Sequence, residues 1–216
     1  IHKITYDKHT GKTSVSSKLK EINSSIKTDK KVGSIVKKWQ TILVSKIKNV
    51  IKQPNEVIFD AKTPLDGRDT PIRSMQTNLG QVITKAMSFV FEDQVDCALV
   101  NGGSIRIDDQ LSGPITAVDI FRVLPYGGGV LKVGIKGRLL EQVLNYGVNV
   151  RGQGAYLHRF NAYKVGDQWM IKNKALILNK TYTVAISDYL LKGLDIPFLT
   201  NNNKDITFVF QPKINE

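Results

Sequence analysis

Cysteine is nearly absent from this sequence: Cys97 stands alone among 216 residues. A disulfide framework is excluded, because one thiol has no partner in the chain. Histidine is scarce too. His2, His9 and His158 lie far apart with no Asp/His cluster beside them, so the ligand spacing of a zinc or two-metal hydrolase site is missing. No apolar run approaches the ~20 residues of a membrane-spanning helix, which excludes such a helix from these residues. A nucleophile elbow, a P-loop and a Rossmann fingerprint are also lacking. Cys97 sits in the apolar run VDCALV and reads as a small core residue rather than a nucleophile. Alone, the chain is no obvious catalyst. It starts at Ile1 without a basic-then-apolar leader and so reads as a processed or excised piece.

What is present fits a globular chain, 41% hydrophobic and 23% charged. The net charge of +12 is unevenly spread. Residues 1–55 hold 13 Lys, no Arg and only three acids (Asp7, Glu21, Asp29), for +10, whereas residues 56–216 carry +2. The excess reads as a diffuse solvated Lys face, with only Tyr6 and Trp39 as aromatics among its charges. Base stacking needs exposed rings, and Arg is the usual reader of base edges, so no specific nucleic-acid partner is expected.

Residues 3–15 read as two short strands around a Asp-Lys-His-Thr-Gly turn, and 16–28 as a Ser/Lys-rich linker or the start of a helix. From Lys30 to Lys52 apolar residues recur at three- and four-residue steps (Val32, Ile35, Val36, Trp39, Leu43, Ile47), predicting one helix that Pro54 ends. Such a rod is either a connector between domains or a helix packed on its own domain. Beyond it the spacing predicts a strand at 57–61, an irregular stretch at 63–75, a helix at 79–91 and a buried strand at 95–100. Next come a short helix opened by Thr116 with Asp119 as its capping partner, a strand at 130–135, a helix at 139–146, a β pair at 155–164 and 168–171, and strands at 181–186 and 206–210. Strands and helices alternate without regular βαβ spacing. The expected fold class is α+β, a mixed β-sheet with flanking helices preceded by a long linker helix.

Four loops carry chemistry suited to an anionic, planar ligand. In LDGRDTPIRSMQTNLG (65–80), Arg68 and Arg73 precede a helix start; a guanidinium fork matches phosphate, though either residue could equally pair with a surface carboxylate. In VNGGSIR (100–106), Gly102 and Gly103 follow a buried strand and would let backbone N–H groups approach a ligand, with Arg106 at the loop's end. LPYGGG (124–129) presents Tyr126 on a turn, and SDYLLKGLD (187–195) places Tyr189 after a strand and Asp195 six residues later. Two loop tyrosines could sandwich a planar base, while each singly also suits packing.

Taken in order, QTNLGQVITKAM, VNGGSIR, ITAVDIFRVLPYGG and AISDYLLKGLD resemble the C-terminal substrate-binding domain of the 5′-nucleotidase family, which includes UDP-sugar hydrolases and cyclic-nucleotide phosphodiesterases. The resemblance runs from about Ile58 to Phe210. It implies three segments: 1–15 as terminal strands of a missing N-terminal metallophosphatase domain, 16–55 as a basic linker helix that includes or adjoins a hinge, and 56–216 as the nucleotide-binding domain. By the same resemblance Arg68, Arg73 and Arg106 would hold substrate phosphate, and Asn101 with Gly102 and Gly103 would meet the base. Tyr126 and Tyr189 would clamp it, and Asp195 would take the ribose hydroxyls. No cofactor is expected in this fragment, and two divalent metal ions are expected in the missing domain, its partner in cis. The implied substrate is a nucleotide or nucleotide-sugar, and the implied location periplasmic, secreted or cell-surface. The family's usual Gly-Gly-Asp-Gly is here Gly193-Leu194-Asp195-Ile196, and both clamp positions carry Tyr where Phe is usual. The competing reading is a non-catalytic nucleotide- or polyanion-binding module, or an interaction domain.

Overall fold

The computed structural model describes residues 1–51 and 53–212. The chain divides into two compact units, Ile1–Lys52 and Gln53–Glu216. In the first, β1 (His2–Tyr6) and β2 (Thr13–Ser17) form an antiparallel hairpin in the register Ile4↔Val15. The Asp7 carboxylate closes its turn by accepting the His9 and Thr10 N–H groups at 2.8 and 3.2 Å, and Gly11 takes φ +66°. Helix α1 (Lys30–Val50) is capped by Asp29, whose Oδ1 accepts the Val32 N–H at 2.9 Å. The helix stops ahead of Pro54, as its apolar period predicts. No described helix is long and apolar enough to cross a membrane.

The second unit is built on a five-stranded sheet in the order β12-β6-β11-β4-β7. The elements run β3 (Val57–Asp66), α2 (Asp69–Ile72), α3 (Asn78–Phe89), β4 (Cys97–Asn101), β5 (Gln110–Thr116), α4 (Ala117–Val123), β6 (Val130–Lys136) and α5 (Gly137–Asn149). They continue with β7 (Leu157–Phe160), β8 (Ala162–Val165), β9 (Gln168–Ile171), β10 (Lys174–Ala175), β11 (Thr181–Ser187) and β12 (Ile206–Phe210). Only β4 and β11 pair in parallel; the other neighbours are antiparallel, so the sheet is mixed as expected.

Strand alternation explains the two cores. Cys97 and Leu99 of β4, with Val184 and Ile186 of β11, face Leu139, Leu140, Val143 and Leu144 of α5. Ala98, Val100 and Ala185 turn to the opposite face and meet Leu79, Ile83 and Met87 of α3. Every one of these residues is buried, so both faces of the central strands are covered by helices. The Cys97 thiol is fully enclosed and burial drives its pKa up, consistent with a core residue. Thr116 and Asp119 form the reciprocal capping box at the start of α4.

Two stretches depart from the sequence expectation. The stretch 63–75 is not irregular throughout: β3 continues to Asp66 and pairs with β5, with Leu65 opposite Leu111. Pro64 and the Gly113-Pro114 pair blurred the alternation in both strands, and a register shift between Ala61 and Leu65 absorbs the disruption. The β pair expected at 155–171 is split. Asn161, at φ +58°, turns the chain so that β7 joins the main sheet beside β4, while β8, β9 and β10 form a separate meander.

Candidate functional site

The topology brings several loops to one edge of the sheet. Asn101 ends β4 and Ser187 ends β11, and because these strands are parallel both chain exits open at the same edge. Strand β6 is antiparallel to β11 with Val130 opposite Ser187, so the turn that precedes β6 arrives there too. Ligands of open α/β sheets collect outside the carboxyl ends of parallel strands. A cavity of about 700 Å³ lies at this edge, walled by Ile83 and Met87 of α3 and by the loops that carry Arg73, Asn101, Gly103, Ser104, Arg106, Tyr126, Asp188, Tyr189 and Asp195.

A chain of side-chain hydrogen bonds crosses its floor. Ser104 Oγ donates to Asn101 Oδ1 at 2.5 Å, and Asn101 Nδ2 donates to Asp195 Oδ2 at 2.6 Å. The Tyr189 phenol donates to Asp195 Oδ1 at 3.2 Å. Desolvation, followed by the adjacent Asp195 carboxylate, raises the Tyr189 pKa, so its hydroxyl stays a donor. Asp195 is thus fixed from two sides although Leu194 and Ile196 replace the flanking glycines. Ile196 is buried, Leu194 is exposed, and only Gly193 among the three takes a positive φ (+73°).

The turn before β6 depends on glycine. Gly127 and Gly128 sit at φ +65° and +101°, and a Cβ on Gly128 would fall 2.7 Å from Asp188 Oδ1. Asp188 N–H donates to Gly129 O at 2.9 Å, tying the Tyr126 turn to the Tyr189 loop. Tyr126 is 71% exposed, whereas Tyr189 is partly buried. The Arg106 guanidinium lies 5.7 Å from the Tyr126 ring centroid and has no carboxylate partner among the described residues. Arg73 is held from behind, its Nε donating to Asp69 at 2.6 Å.

Of the residues singled out by sequence, the structure gathers Arg73, Asn101, Gly103, Arg106, Tyr126, Tyr189 and Asp195 around this cavity. Arg68 is not among its walls; both arms of its guanidinium are engaged by Asp66, at 2.9 and 2.8 Å. Gly102 is buried behind the lining with its N–H donated to Tyr156 O at 2.7 Å, and the Gly103 N–H goes to Gly154 O at 2.8 Å. Neither amide is free for a ligand. These glycines serve close packing instead: a Cβ on Gly102 would meet Ile72 O at 2.6 Å. Sequence reading missed Ser104, Asp188 and Lys192, which also line the cavity. All three lie inside the quoted loop motifs, but nothing local marks their side chains as pointing inward. Among the described residues no group of three or more His, Cys, Asp or Glu side chains is placed to hold a metal ion.

Comparison with known proteins converges on one family. The family model described as 5′-nucleotidase, C-terminal domain, matches residues 57–200. The human 5′-nucleotidase is 30% identical over 144 residues, covering 61% of this chain and 24% of that protein. Endonuclease YhcR of Bacillus subtilis is 28% identical over 174 residues, covering 77% of this chain and 13% of that protein. The chain therefore spans a quarter or less of the length of these relatives. The crystal structure of a 5′-nucleotidase precursor from Thermus thermophilus superimposes with a TM-score of 0.65 at 22% identity, over 80% of this chain and 37% of that one; this is a likeness of fold. The family match extends from the first residue of β3 through the loop bearing Asp195, and so takes in the whole cavity. On that match the chain belongs to the 5′-nucleotidase C-terminal domain family.

Proposed function

We propose that this domain is the substrate-recognition part of a 5′-nucleotidase-type, metal-dependent phosphohydrolase, and that its cavity holds a nucleotide or nucleotide-sugar. The observation that carries the reading is the convergence of two guanidinium groups, two phenol rings and one anchored carboxylate on a single cavity. Arg73 and Arg106 would take the phosphate; Arg106 has the freer fork, and Arg73 is pre-positioned by Asp69. Tyr126 and Tyr189 would stack on the two faces of the base, and Asn101 and Asp195 would hydrogen-bond the base and ribose. Arg68 is omitted from the phosphate set, because it does not line the cavity and Asp66 holds its Nε and Nη2.

In this reading the metal ions sit on an N-terminal metallophosphatase domain in cis, and the residues described here bind and orient the substrate. The human relative is named a 5′-nucleotidase, which supports a hydrolase as the parent protein. Export to the periplasm, the cell surface or the medium belongs to the same proposal.

Thermal denaturation of the chain with nucleosides, nucleoside monophosphates and UDP-sugars tests it. A ligand at ~100 times its Kd stabilises the folded state by about 2.7 kcal/mol. At least one member of these classes should therefore raise the Tm by several degrees. Tyr126→Ala and Tyr189→Ala should each weaken that ligand by ~1–3 kcal/mol, the usual worth of one stacked base. No Tm rise with any of the three classes, or full affinity in both alanine variants, would sink the assignment.

A further inference from the structure

The loop after β11 is pinned from below by apolar side chains. Leu190, Leu191 and Ile196 are buried in the core on the α5 side, and Lys192 makes a backbone bridge to Thr200. The backbone is therefore set, but the half-buried Asp195 side chain at the cavity wall can still turn about its own bonds unless something holds it. Two donors do. Asn101 Nδ2 reaches Oδ2 and the Tyr189 phenol reaches Oδ1, one donor on each oxygen, which fixes the carboxylate plane. Asn101 is itself 2% exposed, and the Ser104 hydroxyl, donating to its Oδ1, keeps its amide the right way round.

Counting acceptor sites shows what is left for a ligand. An ionised carboxylate offers about four lone-pair sites. Among the described residues Tyr189 and Asn101 are the only donors to Asp195, and they occupy one site on each oxygen. One site per oxygen remains. Two neighbouring acceptors on one rigid plane match two O–H groups on adjacent carbons held on the same side, a vicinal cis-diol. A ligand with a single hydroxyl there satisfies one oxygen and leaves the other covered without a partner, which is unfavourable.

The two ends of Tyr189 do not compete. A phenol O–H lies near the plane of its ring, so the bond to Asp195 uses the edge and leaves the ring face for stacking. Removing the hydroxyl alone would free Oδ1 and let the carboxylate turn, with the ring still in place.

We propose that the Tyr189 hydroxyl is a positioning group that selects the sugar: it holds Asp195 so that both carboxylate oxygens accept from a vicinal cis-diol, and the cavity thereby prefers ribosides to 2′-deoxyribosides. The proposal rests on the nucleotide reading of this cavity and adds to it a role for a hydroxyl that base stacking does not use.

Calorimetric titration of the 216-residue chain tests it. The ligands are the 5′-monophosphates of adenosine, guanosine, cytidine and uridine, and UDP-glucose, each beside its 2′-deoxy counterpart. The ribonucleotide that binds best should bind at least ~10-fold more tightly than its 2′-deoxy form, the scale of one hydrogen bond to a charged group. In Tyr189→Phe, which keeps the ring, that ratio should fall below ~3-fold, with most of the loss on the ribonucleotide. Asp195→Ala should collapse the ratio as well, and Tyr189→Phe should change it no further in that background, because the hydroxyl acts through the carboxylate. A phenol with a merely structural role would weaken both sugars equally and leave the ratio standing. The proposal is overturned by an unchanged ratio in Tyr189→Phe, or by a wild-type chain that binds both sugars alike. Those outcomes leave the nucleotide reading intact, whereas binding of none of these ligands overturns both.

Discussion

Gly80→Ala should cost the domain about 3 kcal/mol of stability, a loss at the upper end of the range for overpacked cores. The sign is not obvious from the substitution, since alanine is favoured over glycine inside a helix by ~1 kcal/mol. Position decides it. Gly80 lies in the first turn of α3, where its N–H is taken by the Thr77 cap and its carbonyl accepts from Thr84 Oγ1. A Cβ there would fall 2.0 Å from Nδ1 of His158 and 2.4 Å from its Cγ. The imidazole cannot swing away, for its Nε2 is bonded to Ile72 O at 2.8 Å and its ring stands edge-on to Tyr156. The helix would have to lift from β7, carrying Ile83 and Met87 away from the cavity wall. Chemical denaturation measures the loss. The double variant Gly80→Ala/His158→Ala should be less destabilised than the two single losses added together, because the second change vacates the space that the first requires. A stability gain in Gly80→Ala alone would show that α3 does not depend on this contact.

The N-L-G motif could not announce that contact. Its asparagine and glycine mark a helix start, but His158 approaches from 78 residues away along the chain, on a strand whose place in the sheet the sequence left open. Where a feature is periodic and local, it was legible. The apolar period of α1, the cap at Thr116 and the apolar runs of β4 and β11 each gave their element within a few residues. The strand pair β3–β5 was half legible, because Pro64, Gly113 and Pro114 broke the alternation that burial of Leu65 and Leu111 would have revealed.

For the site, the loops were legible and the aim of their groups was not. Residue type distinguishes neither Arg68, clasped by Asp66 two positions back, nor Arg73, which reaches the cavity. Gly102 and Gly103 looked like open amides, yet both N–H groups pair with the 154–156 segment, which no local pattern links to them. Asp195 has lost its glycine neighbours and still lines the cavity, because Asn101 and Tyr189, both distant in sequence or across the loop, hold its two oxygens.

Acid should weaken this domain through His158. Ile72 O can only accept, so Nε2 carries the proton and Nδ1 is the bare nitrogen, buried without a partner against Gly80. A second proton would have to sit on Nδ1, where it would find no acceptor. Desolvation, with a smaller contribution from the neighbouring Arg159 charge, pushes the His158 pKa down to about 4 from the ordinary 6.5, against the opposing pull of the Ile72 carbonyl. Between these two values the unfolded chain binds a proton that the folded chain refuses. The group's contribution is therefore complete above pH 6.5, declines as the pH falls, and is exhausted near pH 4. Over that span it amounts to roughly 3 kcal/mol. Urea denaturation of the wild type from pH 7.5 to 4.5 should show the decline. His158→Gln should flatten it by close to one proton's slope, because the glutamine amide can still donate to Ile72 O and does not titrate. An NMR titration that finds His158 already half-protonated at pH 6 would refute the account. Nε2 keeps its proton and its bond to Ile72 O throughout, because that bond favours the charged ring; the cost falls on Nδ1, sealed without an acceptor against Gly80 in the first turn of α3.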